Sequence, residues 1–372
     1  MQTTLQQLLA TSSVLLADGA TGTNYFKMGL TSGEPPEFWI TDHPERVTLL
    51  HQQFVDAGAD IILTNTFGCN RHRLKLHNAQ SRVHELASGA ARLARAVADA
   101  SARPVVVAGS VGPTGELFEP LGALTEADAI DSFAEQIRGL QDGGADVVWI
   151  ETMSAPEEIR AAAKAAILVG MPYAATMSFD TAGRTMMGIM PGALEQIFEG
   201  LEPQPLAIGA NCGVGASDIL VSISQMSAFA TPVVSKGNCG IPKFEGTTIK
   251  YSGTPELMHT YAAMAADAGA RIVGGCCGTT PAHLAEVVKR FGERKKSIPT
   301  RTISVDPGAA SLYQHASFRQ ENTYMAIGER TNANGSKAFR DALLENNWQE
   351  CLEIAKGQMR EGAHMLDLCV DY

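Results

Sequence analysis

Short apolar runs rich in β-branched residues recur eight times along the chain, each closing on glycine, asparagine, serine or aspartate. They are SVLLADGATG (13–22), ADIILTNTFG (59–68), PVVVAGSVGP (104–113), ADVVWIETM (145–153), PYAATMSFD (172–180), PLAIGANCG (205–213), PVVSKGNCG (232–240) and ARIVGGCCG (270–278). Their near-continuous hydrophobicity, without the alternation of a half-exposed sheet, predicts parallel strands covered on both faces. Most of the gaps hold apolar residues at three- and four-residue spacing, as in HPERVTLLHQQFVDAG, SRVHELASGAARLARAVADA and TPAHLAEVVKRFGERK. Several of these stretches open on Ser, Thr or Asp and four end in Gly, which predicts capped amphipathic helices. Strand then helix, about eight times over roughly 290 residues, points to a (β/α)8 barrel. A doubly wound sheet needs fewer strands and would normally carry G-x-G-x-x-G after the first, a pattern DGATGT does not match.

Beyond the eighth unit the period stops. Residues 294–322 mix basic, Pro, Ser and Gly residues without helical or strand spacing, the composition of a linker. A strand with a polar loop (TYMAIGERTNANG), a helix (SKAFRDALLENNWQECLEIAKGQMREG) and another strand (AHMLDLCVDY) follow. One strand–helix–strand unit cannot cover a parallel sheet, so 323–372 reads as the start of a second α/β domain, truncated. The division is therefore a barrel over 1–293, a linker over 294–322 and a partial domain over 323–372.

Composition narrows the function classes. The 372 residues are 45% hydrophobic and 19% charged, as in ordinary soluble proteins. A formal net charge of −11 argues against nucleic acid or an anionic membrane as partner. No run approaches the roughly 18–20 apolar residues of a membrane span. The opening MQTTLQQLLATSS lacks the basic region of a signal peptide and reads as the first helix of a cytoplasmic protein. Seven irregularly spaced cysteines in a reducing compartment are buried, catalytic or metal-bound rather than bridged.

In such a barrel, residues at the C-terminal strand ends share one mouth. That edge would carry Asp18, Asn65, Ser110, Glu151, Ser178, Asp180, Cys212, Asn238, Cys276 and Cys277. Three cysteines thus fall on the tips of the sixth and eighth strands, one strand apart, close enough to converge on one ion. A single such cysteine is usually a small packed hydrophobe. Three together, two of them adjacent and flanked by glycines that let the backbone turn, favour a metal site. Thiolates select zinc among redox-silent ions, and three protein ligands leave a position open. An electron-rich three-thiolate centre is a poor activator of water and suits a soft ligand, a substrate thiol held as thiolate. The chemistry implied is alkyl transfer to sulfur.

DGATGT (18–23), NTFG (65–68), GSVGPTG (109–115), ET (151–152), GANCG (209–213) and GGCCGT (274–279) together resemble the zinc-dependent homocysteine S-methyltransferase family over about residues 10–293. The resemblance implies that Cys212, Cys276 and Cys277 are the zinc ligands and that homocysteine is the thiol. It also implies that Asp18 and Glu151 hold the substrate ammonium and that backbone amides at Gly19 and Ala20 hold its carboxylate. Asn238, in KGNCG, matches an Asn-Ala-Gly stretch whose Asn would fill the fourth zinc position before substrate arrives. Cys239 replaces the usual Ala there. IGERTNANGSKAF (327–339) and GAHMLDLCVDY (362–372) are similar to the opening of the pterin-binding barrel in cobalamin-dependent methionine synthases. That likeness implies a place for Asn332 and Asp367 in a folate site. It also implies methyltetrahydrofolate and a cobalamin-binding module beyond this chain, since no Asp-x-His-x-x-Gly motif occurs in it.

An alternative within enzymes is direct transfer from betaine or a methylsulfonium amino acid; the pterin-like tail counts against it. The non-enzyme alternative is a structural or redox-sensing thiolate–zinc barrel, marked by a closed four-ligand site. His72 and His77 read as solvated surface, Cys69, Cys351 and Cys369 as packed, and the methionines of TMSFDTAGRTMMGIMP (176–191) as core.

Overall fold

The computed structural model describes residues 3–245, 248–291, 306–311, 315–320 and 324–371. The chain divides into two compact units, Met1–Ile303 and Ser304–Tyr372.

The first unit is built on eight parallel strands: β1 (Leu15–Leu16), β2 (Ile61–Leu63), β3 (Val106–Val111), β4 (Val147–Met153), β5 (Tyr173–Met177), β6 (Ala207–Cys212), β7 (Val233–Gly237) and β8 (Ala270–Gly275). They run in the order β1-β8-β7-β6-β5-β4-β3-β2, and a bridge from Ala17 to Ile61 joins the two ends of that row. The sheet is thus a closed barrel, as the run pattern predicts. Successive residues point in and out, and both sets are apolar. Leu15, Ile61, Val106, Val147, Trp149, Val234 and Ile272 pack inside the barrel with Leu5 of the first helix (Leu5–Thr11), while Val107, Val148 and Ile150 pack in the larger cluster that includes the helix residues. Burial on both faces removes the alternation a one-sided sheet shows.

Helices occupy most βα connections, among them Pro44–Ala57, Val83–Ala100, Glu126–Asp142, Pro156–Val169 and Pro255–Asp267. Two connections affect the mouth. Between β5 and β6 only short 3-10 turns form, Pro191–Ala193 and Glu195–Phe198. Met186, Met187 and Met190 in this connection are exposed rather than core. Between β7 and the next helix, a hairpin pairs Pro242–Glu245 antiparallel with Thr248–Tyr251, an element the run pattern does not predict. The run at 13–22 also yields only a two-residue strand, because DGATG leaves the sheet and leads into the short helix Gly22–Lys27.

In the second unit, β9 (Ile327–Asn332) and β10 (Met365–Cys369) are parallel and enclose the helices Lys337–Leu344 and Trp348–Arg360. Of the stretch read as a linker, 294–305, 312–314 and 321–322 lie outside the described residues. The rest contains a small antiparallel pair, Gly308–Ala310 with His315–Ser317. Cys69 is buried as expected, whereas Cys351 and Cys369 are only half-buried. No helix among the described residues is long and apolar enough to cross a membrane.

Candidate metal centre and thiol site

Strand register brings the three cysteines together. Gly237 of β7 is the partner of Cys212 on β6 and of Gly275 on β8, so the two cysteine-bearing tips flank a residue with no side chain. Cys212 takes φ 64°, a left-handed conformation uncommon for a residue with a Cβ, and Gly213 follows at φ 78°. Strain of this kind concentrates at functional sites. Gly278, at φ 81°, turns the chain after the cysteine pair; a Cβ there would lie 2.4 Å from the Tyr251 ring. The sulfurs of Cys212, Cys276 and Cys277 all lie within 4.8 Å of one another, and those of Cys212 and Cys277 are 3.9 Å apart. A tetrahedral zinc with Zn–S bonds of about 2.3 Å sets its sulfurs roughly 3.8 Å apart, so this donor set fits the ion.

Asn238, expected from sequence, and Asn211 and Tyr251, which the sequence does not single out, surround the triad. The Tyr251 ring, delivered by the hairpin, packs against Gly278, directly after the cysteine pair. Hydrogen bonds from Cys212, Cys276 and Tyr251 hold the Cys277 thiol well below its ordinary range, while burial pushes it up. Asn211 points its amide nitrogen at the Cys276 sulfur (3.9 Å) and is itself fixed by Thr152 and Thr176. Asn238 receives the Cys277 N–H on Oδ1 (3.0 Å) and donates from Nδ2 to Gly213 O (2.6 Å). It therefore ties the two cysteine loops together, and both ends of its amide are engaged with backbone. Cys239 is buried outside the three-sulfur group; its N–H donates to Cys277 O.

The triad sits in a cavity of about 520 Å3 at the barrel mouth, whose walls include Gly19, Ala20, Ser110, Glu151 and Lys236. His77 also contributes to the lining, although the residue is exposed, as expected. Glu151 accepts from Ser110 Oγ at 2.5 Å, and burial pushes its carboxyl up to about 7 against the pull of Lys236. Asp18 is placed differently from the expectation. It does not line the cavity: Oδ1 accepts from Lys236 Nζ (2.8 Å) and Oδ2 from the Leu63 N–H (2.7 Å). The Ala20 amide donates to Thr279 O (3.1 Å), so it too is already engaged. In the second unit Asn332 Nδ2 donates to Asp367 Oδ2 at 2.8 Å, linking β9 to β10.

Family models match both units: homocysteine S-methyltransferase over residues 15–291 and pterin binding enzyme over 328–372. Methionine synthases from Mycobacterium tuberculosis and Mycobacterium leprae are 36% and 35% identical, each over 96% of this chain. The chain spans 31% of the length of either relative. Among solved structures, the homocysteine methyltransferase MmuM from Escherichia coli superimposes with a TM-score of 0.65 in its oxidized form and 0.66 in its metallated form. Sequence identity there is 24% and 23%, with 77% of this chain and 99% of that one covered in each case, a likeness that shows the barrel fold. With most of its length matched by the family's model, this chain belongs to the homocysteine S-methyltransferase family.

Proposed function

We propose that this chain methylates the thiol of homocysteine to give methionine, and does so as the homocysteine module of a cobalamin-dependent methionine synthase. The observation that carries the reading is the group of three mutually close sulfurs, from two strand tips, on the wall of a cavity large enough for an amino-acid thiol. Cys212, Cys276 and Cys277 would hold zinc, which when bound supplies an electron-rich site where a thiol binds as thiolate at neutral pH. Asn238 and Asn211 hold the cysteine-bearing tips in place. Glu151, held by Ser110, offers the cavity a carboxylate for the substrate ammonium. The buried barrel wall behind the triad keeps bulk water from that side, so the sulfur is open to a methyl donor only through the mouth.

The methyl would arrive from methyltetrahydrofolate by way of methylcobalamin on modules beyond this chain. The pterin-binding match in the second unit and the methionine synthase relatives support that donor. In the second unit Asn332 and Asp367 would contribute to the folate site. A cytoplasmic location fits a thiolate site that needs reduced cysteines.

The test is turnover by the zinc-loaded chain with homocysteine and free methylcobalamin. Methionine should form, and betaine or S-methylmethionine in place of methylcobalamin should give none. Methionine formed only with betaine or S-methylmethionine would assign a direct donor instead, and no methionine with any of them would reject the methyltransferase reading.

A further inference from the structure

We infer that Lys236 is a substrate-binding residue of this site, its ammonium receiving the carboxylate of the amino-acid thiol beside the ammonium-binding Glu151. The inference rests on the thiol-site reading above. Lys236 is 2% exposed, yet it contributes to the cavity wall, whereas its partner Asp18 does not. Its Nζ lies 2.8 Å from Asp18 Oδ1 and 5.9 Å from the centre of the Trp149 ring. A lysine ammonium has three donors. One is directed to Asp18, and a hydrogen-bonding group in the cavity can take another.

Three observations converge on that group being a carboxylate. The Leu63 N–H and the Lys236 ammonium bind Asp18 from two sides, so the charge presented to the cavity at this point is the positive one of Lys236. Ala20, one of the two amides expected to hold the carboxylate, donates to Thr279 O. Glu151 and Lys236 both line the same cavity. A carboxyl and an ammonium lining one cavity complement the two charged groups on the α-carbon of an amino acid. Asp18 then acts as a positioning residue, holding the lysine through an ion pair buried on both sides. Such a pair persists only when its remaining hydrogen bonds are made, here by Leu63 and, on binding, by the substrate.

Calorimetric titration of the zinc-loaded chain with homocysteine and with 3-aminopropane-1-thiol, which lacks the carboxylate, tests this. Lys236→Met should weaken homocysteine by about 10- to 100-fold, the range of one charge-assisted hydrogen bond, and leave the aminothiol within about twofold of wild type. Because a lone Asp18 could unfold the variant, the Asp18→Asn/Lys236→Met pair is titrated alongside and should show the same selective loss. Lys236→Arg should retain most of the preference for homocysteine. Equal weakening of both thiols in the single and double variants would make Lys236 merely structural, and unchanged homocysteine affinity would also overturn its role. A wild-type chain that binds neither thiol would reject the thiol site itself, and this role with it.

Discussion

At the residue scale, the site combines groups whose charges would be costly apart. Three thiols share a space in which their sulfurs are within 4.8 Å, an arrangement stable as thiolates only around a cation. Replacing Cys212, Cys276 or Cys277 singly with Ser should drop bound zinc from about one per chain to near zero after dialysis, with circular dichroism unchanged. Zinc retained by any one variant would remove that residue from the centre. Glu151 leads to a second prediction. Burial raises its carboxyl from 4.5 to about 7, so between those values the folded chain holds a proton that the unfolded chain has released. Its contribution to stability is complete below about pH 4.5 and is lost as pH rises through 7, with a slope of at most about 1.4 kcal/mol per pH unit. Across pH 4–8 the wild type should lose more stability with rising pH than Glu151→Gln, the difference following this slope; parallel denaturation curves would contradict it.

Lys236 shows why part of the site was not legible in the sequence. In PVVSKGNCG it looks like a polar residue ending an apolar strand, and its partner Asp18 is 218 positions away. Only closure of the barrel brings them together. Asp18, conversely, was visible as a strand-end acid, but which groups would take its oxygens was not. The cysteines could be found because their number, adjacency and glycine neighbours are unusual in themselves.

At the scale of elements, the barrel was readable because doubly buried strands are written as unbroken apolar runs, and because caps and glycines punctuate the helices. What the pattern missed is a piece without a period, the hairpin 242–251, whereas the stretch after β5, which carries no helical pattern, forms only 3-10 turns. The hairpin matters, since it brings the Tyr251 ring against Gly278, next to the cysteine pair. The loops after β6 and β8 are joined by one side chain, Asn238, through Gly213 O and the Cys277 N–H. Asn238→Ala should therefore weaken zinc by about 10- to 100-fold, as loss of an outer-shell partner does, while the barrel remains folded. Competition with a zinc-sensitive chelator measures this, and wild-type affinity would show that the two loops hold their geometry without the clamp.

At the scale of the molecule, the chain divides into a barrel with its own core and a second unit whose described part includes one parallel strand pair and two helices. The chain spans under a third of its methionine synthase relatives, and the proposed donor chemistry belongs to the remainder. The chain should accordingly show no methionine formation from methyltetrahydrofolate and homocysteine, and should gain it when a pterin barrel and a cobalamin module are supplied. Turnover without them would contradict the modular reading.

The most direct test of the central claim is X-ray absorption at the zinc edge of the metal-loaded chain, with and without homocysteine. Three sulfurs at about 2.3 Å and one lighter donor should become four sulfurs when the thiol is added. Four sulfurs from the outset, or a coordination shell indifferent to homocysteine, would show that the metal has no place for a substrate thiol.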